Sequence, residues 1–194
     1  MPRIKADNIA EHVAHQQAAV LDAAVELFVE RGYHEVCLAD IASEVGLARN
    51  SLYRYVPDKA HLLLDWYRRI VPLTIEEWRT VTAGDDPPAV RLQRWARAYL
   101  AWALTPEHQL VAPLTEAMAG FDDETRAQAG ALHASMMDVV ASVLVDAGVS
   151  TEHVDGVLAL LSGAVLGAAR AEEASGADPD VRRRLDSVVA AALV

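Results

Sequence analysis

The chain has 194 residues, of which 53% are hydrophobic and 23% charged, so it can bury a core as one large domain or two small ones. Its single cysteine, Cys37, excludes an internal disulfide and favours a reducing, cytoplasmic setting, while no CxxC or HExxH spacing indicates a metal site. The net charge of −11 argues against a nucleic-acid-binding protein if the chain is taken as a whole.

Charge is distributed unevenly along the chain. Residues 1–62 carry −3 and residues 63–194 carry −8, but the stretch “GLARNSLYRYVPDK” at 46–59 carries +2. The amino terminus has no apolar segment of the signal-peptide type, and the uncharged run at 156–169 is shorter than the roughly 20 residues that a membrane span needs. We therefore expect a cytoplasmic protein with no membrane partner.

Helical patterns follow one another along the chain. Residues 17–32 have apolar side chains at three- and four-residue spacing and end at a glycine, and residues 38–46 and 49–56 form two short helices. A fourth helix starts after Asp58, a suitable N-cap, and should kink or end at Pro72. Further helices are predicted at 89–104, between Pro106 and Pro113, at about 122–147 and 151–174, and after 178. With no alternating β pattern, the predicted fold class is all-α, with about nine or ten helices.

Residues 38–57 have the pattern of a helix-turn-helix. Ala42 lets two helices approach closely, and Gly46 can adopt the turn conformation that residues with a Cβ resist. Ile41, Val45 and Leu52 supply the apolar contacts between the helices. The second helix of such a motif lies in the major groove of DNA.

The second helix of this motif has two chemically different sides. At 100° per residue, Leu52, Tyr55 and Val56 share the side that faces the core. Arginine can bind guanine through two hydrogen bonds and asparagine can bind adenine, while serine, tyrosine and lysine side chains bind phosphates. The candidate DNA-binding residues are Arg49, Asn50, Ser51, Tyr53, Arg54 and Lys59. The alternative interpretation is an ordinary solvated helix face.

Residues 20–63 resemble the amino-terminal domain of the tetracycline-repressor (TetR) family of transcriptional regulators. The resemblance is carried by “AAVELFVERGY”, “DIASEVG” and “SLYRYVPDK”, in the expected order and spacing. It implies a three-helix DNA-binding head at 1–62, with 1–15 as a candidate disordered arm, and a larger helical ligand-binding and dimerisation body at 63–194. Cys37 lies where the family usually has Thr or Ser, Ala48 where a Ser is frequent and Val56 where Phe is commoner, which predicts a weaker grip on the DNA backbone.

The body offers candidates for a pocket and for an interface. Trp95, Tyr99 and Trp102 share one helix face, which indicates either core packing or a pocket for an apolar or planar ligand. The pocket candidates are Trp66, Trp95, Tyr99, Trp102, Met118, Phe121, Met136 and Met137. The resemblance places a dimer interface on the helices at about 122–147 and 151–174, where Ser162, Gly163 and Gly167 are small. None of the seven histidines has metal-site geometry.

The resemblance implies a ligand-responsive repressor that binds a palindromic DNA operator as a homodimer and is released by a small-molecule inducer. No GxSxG motif, phosphate loop or metal quartet is present, so we expect no enzymatic activity, catalytic residue, metal or cofactor. The alternative is a helical small-molecule-binding or protein-docking module without specific DNA binding. Salt-dependent binding to duplex DNA would separate the two hypotheses.

Overall fold

The computed structural model of the chain describes residues 3–176 and 178–193. Within these residues it consists of nine α-helices, two 3₁₀ helices and no strand, so the all-α prediction is confirmed. The α-helices are α1 (Arg3–Arg31), α2 (Leu38–Glu44), α3 (Arg49–Leu52), α4 (Lys59–Thr82), α5 (Pro88–Ala103), α6 (Val111–Ala117), α7 (Asp123–Asp146), α8 (Val154–Ser175) and α9 (Pro179–Ala191). The 3₁₀ helices are Pro106–Leu110 and Met118–Gly120.

The first helix is longer than its apolar pattern predicts. Residues 3–15, expected as a candidate disordered arm, are helical in α1, and this stretch contains no glycine or proline that would end a helix. Met1 and Pro2 lie outside the described residues. The predicted end is confirmed, because α1 stops before Gly32, which has φ +86° and donates its N–H to the Phe28 carbonyl at 3.0 Å.

The fourth helix continues through Pro72, so of the two predicted effects of this proline, a kink or an end, the end is excluded. Proline removes one intrahelical hydrogen bond at a cost of about 3 kcal/mol. Val71, Thr74 and Trp78 are nevertheless all buried at helical spacing around it. Burial of this face offsets the lost bond, because packing of an apolar face supplies most helical stability in a folded protein.

The chain divides into two compact units, and α4 is cut between Arg69 and Ile70. The first unit extends to Arg69 and also includes Gln109–Arg126. Within it α2 packs on both α1 and α3 around Phe28 and Ile41. Asp58 caps α4 as predicted, since its Oδ1 accepts the His61 N–H at 2.9 Å.

The segment Gln109–Arg126 contacts other parts of the first unit at three places. The Gln109 side chain donates to the Val29 carbonyl at 3.1 Å, and His34 Nε2 lies 3.6 Å from Glu116 Oε2. The ring of Phe121 meets that of His61 edge-on, with 5.1 Å between centroids. These contacts explain why the segment belongs to this unit although it lies some 40 residues beyond α4's first half.

The second unit contains Ile70–His108 and the chain from Ala127 onward. In it α5, α8 and α9 pack on one another. Arg97 binds Asp186 through two hydrogen bonds of 2.5 and 3.1 Å, which joins α5 to α9. Arg182 binds the buried Glu172 through hydrogen bonds of 2.7 and 2.9 Å, which joins α9 to α8.

Candidate nucleic-acid interface and ligand groove

The turn between α2 and α3 is tight and rests on one glycine. Gly46 has φ +67°, a conformation that costs little for glycine and more for residues with a Cβ. The Leu47 N–H bonds to the Ala42 carbonyl at 2.8 Å, which closes the turn. Ile41, Ala42 and Leu52 are at most 2% exposed and lock α3 against α2. Val45, the last structural residue predicted for this motif, is half-buried.

The second helix of the motif presents a polar face to solvent. Its α-helical part is Arg49–Leu52, and the Val56 N–H still bonds to the Leu52 carbonyl at 3.2 Å, so the chain continues to coil past the helix end. Leu52 and Val56 are buried, as predicted, and Tyr55 is half-buried. Arg49, Asn50, Tyr53 and Arg54 are exposed, and Ser51 is partly exposed. Side chains that could hydrogen-bond to bases or phosphates are therefore available on one continuous surface.

Lys59 is placed differently from the other candidate DNA-binding residues. Its ammonium donates to the carbonyls of Tyr33 at 2.5 Å and Val36 at 2.8 Å, and it lies 4.2 Å from the centre of the Tyr33 ring. Burial lowers the pKa of this lysine. The side chain thus holds the connection between α1 and α2 and has little hydrogen-bonding capacity left for a phosphate.

The amino terminus of α2 is capped from inside the helix. Cys37 occupies the N-cap position, and its backbone N–H donates to Asp40 Oδ2 at 2.7 Å. Hydrogen bonds from the Cys37 side chain and backbone lower the pKa of Asp40. In a capping box, one hydrogen bond runs from the N-cap backbone N–H to the side chain three residues later. Asp40 accepts this bond, which does not depend on the Cys37 side chain.

A cluster of aromatic side chains fills the second unit. Trp78 and Trp95 are fully buried, and the ring of Tyr99 lies 5.3 and 5.7 Å from theirs, between centroids. Trp102 continues the series at 5.8 Å from Tyr99. The aromatic stripe predicted on α5 thus packs mainly in the core. Of its three residues, Trp95, Tyr99 and Trp102, only Tyr99 also borders an open groove.

This groove lies between α5, α7 and α8 and has a volume of about 380 Å³. Two of the predicted pocket residues, Tyr99 and Met137, line it. Trp95, Trp102 and Met136 belong to the same unit but do not line it, and Trp66, Met118 and Phe121 belong to the first unit. The lining residues are Tyr99, His133, Ala134, Met137, Asp138, Ala141, Asp155, Leu158, Ala159 and Ser162.

The small residues of α8 lie on two different faces. Ser162 lines the groove, and its Oγ is shielded from solvent without a hydrogen-bond partner. Gly163 and Gly167 are exposed, and a Cβ built on either would meet nothing within 4 Å. The two glycines therefore do not serve close packing inside the chain.

The described residues contain no metal-binding group and two long apolar helices. Among the described residues, no group of three or more His, Cys, Asp or Glu side chains could hold a metal ion. By length and hydropathy alone, α7 and α8 could each cross a membrane, with 28% and 33% of their most apolar stretches buried. A helix that is covered by a partner protein has the same composition, so this feature is weak evidence for a membrane span.

The amino-terminal part of the chain is similar in sequence to known proteins. The family model described as “Bacterial regulatory proteins, tetR family” matches residues 20–65. The fatty acid metabolism regulator protein of Bacillus subtilis is 33% identical over 57 residues, 29% of each chain. The repressor KstR2 of Mycobacterium tuberculosis is 26% identical over 87 residues, 45% of this chain and 44% of the relative. The chain thus matches less than half the length of these curated relatives.

Solved structures resemble the whole fold at low sequence identity. Bacillus subtilis FadR in complex with stearoyl-CoA has a TM-score of 0.68 and 17% identity, covering 91% of this chain and 97% of that one. A TetR-family regulator from Bordetella parapertussis has a TM-score of 0.67 and 20% identity, covering 89% and 93%. Thermus thermophilus FadR in complex with lauroyl-CoA has a TM-score of 0.61 and 22% identity, covering 91% and 93%.

The first unit thus contains a helix-turn-helix of the kind that the family model describes, and a helical second unit accompanies it. The predicted resemblance to the TetR family is confirmed for residues 20–65 by the family model, and the curated relatives and the shared fold agree with it.

Proposed function

We propose that the protein is a ligand-responsive transcriptional repressor that binds a palindromic operator as a homodimer and is released by a small-molecule inducer. The observation that carries the DNA-binding part is the division of the second helix. Leu52 and Val56 are buried, while Arg49, Asn50 and Arg54 are exposed within a segment that matches the family model. The relatives are transcriptional regulators rather than enzymes, which supports a regulatory role in the cytoplasm and no catalytic one.

The homodimer is supported by apolar surface on α8 that none of the described residues covers. Leu160 of α8 is 74% exposed, and Gly163 and Gly167 lie beside it on the same face of the helix. Exposed apolar patches on a helix mark contact surfaces. We propose that the interface is formed by this face of α8 together with α7. A dimer would place the second helices of its two helix-turn-helix motifs about 34–36 Å apart, which is one turn of DNA.

Ligand release is supported by the groove in the second unit and by the relatives. The two FadR proteins were solved with acyl-CoA molecules bound. A ligand that binds one conformation of the protein better than the DNA-bound one must, by linkage, weaken DNA affinity to the same extent. We propose that the inducer, whatever its chemical class, binds in the groove beside Tyr99 and Met137.

Selection of bound sequences from a random duplex library tests DNA binding, symmetry and spacing together. We expect an inverted repeat whose half-sites are centred about 10 base pairs apart or a multiple of this. Light scattering of the free protein at micromolar concentration should give the mass of two chains. Recovery of no preferred sequence, or a single chain in solution, would contradict the respective part of the proposal.

The alternative, a docking or small-molecule-binding module, predicts a different salt response. Binding to the selected duplex should weaken steeply between 50 and 200 mM salt if several phosphates are contacted, as is usual for DNA-binding proteins. A module without specific DNA binding would bind neither the selected duplex nor its scrambled version at physiological salt.

A further inference from the structure

The groove between α5, α7 and α8 contains a polar group that no protein atom satisfies. Tyr99 lines it and is 8% exposed. Burial raises the pKa of this phenol, so it stays neutral and keeps its hydrogen. The Ser162 Oγ, also in the lining, is shielded from solvent and unpaired. A hydroxyl that is shielded from solvent normally finds a partner, so the unpaired Ser162 Oγ indicates a place for a ligand atom.

The remaining lining of the groove is mostly apolar. Met137 and Leu158 contribute the larger side chains, and Ala134, Ala141 and Ala159 contribute only methyl groups. Methionine adapts its shape to different apolar ligands. A cavity of about 380 Å³ is large enough for a small organic molecule, for which pockets of roughly 300–1,000 Å³ are usual.

The charged residues that line the groove are both acidic. Asp138 and Asp155 line it, and neither has a salt-bridge or hydrogen-bond partner among the described residues. No lysine or arginine is among the lining residues, and burial lowers the pKa of the lining His133, which favours its neutral form. The acyl-CoA molecules bound by two solved relatives carry several negative phosphate charges, which this lining would repel.

A second copy of the chain is a less suitable occupant of the groove. Asp155, Leu158 and Ser162 lie together on α8, whereas Leu160 and Gly163 lie roughly 100° further around the helix. A dimer through the glycine face would therefore leave the groove open. Its two unpaired carboxylates would also repel the acidic surface of another copy, since the chain carries −11.

We propose that the groove binds an apolar organic cation, an amine or quaternary ammonium with an alkyl or aromatic body, near Asp138 and Asp155. The apolar body packs against Met137 and Leu158, and where the ligand carries an N–H or hydroxyl, that group bonds to Ser162. This assignment rests on the proposed function only in so far as the cation is to act as the inducer.

The test compares two probes of equal chain length and opposite charge, decyltrimethylammonium and decanoate, each below its micelle concentration. Isothermal titration of the full chain should show saturable binding of the cation and clearly weaker binding of the anion. Asp138→Asn and Asp155→Asn should each weaken cation binding about two- to fivefold, as expected for a partly exposed ion pair, and the double variant more. Glu77→Gln removes an exposed carboxylate outside the groove and should leave the affinity unchanged.

Several outcomes would overturn the cation site. These are decanoate binding as tightly as the cation, equal affinities for the native chain and both aspartate variants, or an equal loss in Glu77→Gln. A parallel titration on the selected operator separates this site from the proposed function. Cation binding that leaves DNA affinity unchanged supports the site and contradicts its role as the inducer site. Loss of sequence-specific DNA binding with cation binding intact contradicts the regulator alone.

Discussion

At the scale of single residues, two neighbouring cations of the helix-turn-helix have different surroundings. Arg54 is exposed, and its guanidinium lies 5.9 Å from the centre of the Tyr55 ring, so it can reach an outside partner. The ammonium of Lys59 is bound to the Tyr33 and Val36 carbonyls. One positive charge is therefore available to DNA, and the other holds the protein's own backbone.

We expect Arg54→Ala and Lys59→Met to act through different quantities. Arg54→Ala should lower affinity for the selected operator and leave Tm unchanged, because the side chain supports no buried contact. Lys59→Met should lower the free energy of unfolding by about 1–3 kcal/mol, because hydrogen bonds from a charged donor are lost and the carbonyls are left unpaired. Fluorescence anisotropy on operator DNA and thermal unfolding measure the two effects.

The outcome that contradicts this distinction is also specific. If Lys59→Met keeps its Tm and loses operator affinity, then its ammonium contacts phosphate in the complex, as the sequence pattern predicts. If Arg54→Ala binds the operator as the native chain does, the exposed arginine is no part of the reading surface. Glu44→Gln, an exposed change on the preceding helix, serves as the control for both measurements.

Helical geometry was sufficient to predict most of the side chains of the second helix that face outward. Asn50, Tyr53 and Arg54 lie opposite the buried Leu52 and Val56 at 100° per residue, and all three are exposed. Arg49 is exposed because it lies at the start of the helix, and the spacing alone does not predict this. The partners of Lys59 could not be predicted, since they are backbone carbonyls 23 and 26 residues away. A backbone acceptor carries no residue-type signal in the sequence.

At the scale of elements, one ion pair joins α8 to α9. Glu172 is 4% exposed and accepts two hydrogen bonds from Arg182, whose side chain is half exposed. Those hydrogen bonds hold the pKa of Glu172 below its usual value. Since the pKa is lowered on folding, the pair contributes stability above the unfolded-state pKa of about 4.3. That contribution is lost as the pH falls through the folded-state pKa.

Glu172→Gln should therefore destabilise the protein in a pH-dependent way. At pH 7 we expect a loss of about 1–3 kcal/mol, less than for a fully buried pair because Arg182 can return to water. Urea unfolding at a series of pH values should show the difference from the native chain shrinking as the pH falls below about 4. The exposed neighbour gives the control Glu173→Gln, and a difference that persists unchanged at low pH would contradict the assignment.

The elements differ in how well their sequence predicted them. Glycine marked the end of α1 correctly, because Gly32 has a positive φ that favours it. Pro72 does not end α4, since the buried Val71 and Trp78 hold the helix together on both sides of it. The groove was only half predicted, because periodicity gives the face of α5 on which Tyr99 lies and does not say that α7 and α8 stand opposite.

At the scale of the whole molecule, the open glycine face of α8 bears on the oligomeric state. A Cβ built at Gly163 would meet none of the described residues within 4 Å, so we expect that substitution there does not disturb the folded protomer. Gly163→Arg would instead place a charge in the proposed dimer interface, where an unpaired charge is costly to bury.

We expect Gly163→Arg to convert the dimer into a single chain and to abolish cooperative binding to a two-half-site operator. Size-exclusion chromatography with light scattering measures the mass, and circular dichroism checks that the helix content is kept. Thr80→Arg adds the same charge at an exposed position of α4 and should remain a dimer. A Gly163→Arg dimer with native operator affinity would exclude this face of α8 from the interface.

The cap of α2 has a practical consequence for such measurements. Cys37 is the single cysteine of the chain, it is exposed, and it lies at the start of the helix that precedes the reading surface. A nitroxide spin label attached to its sulfur would need no engineered cysteine. Each protomer of a dimer would carry one label, so pulsed electron paramagnetic resonance would yield a single interlabel distance. Changes in that distance with added ligand would report directly on the separation of the two heads.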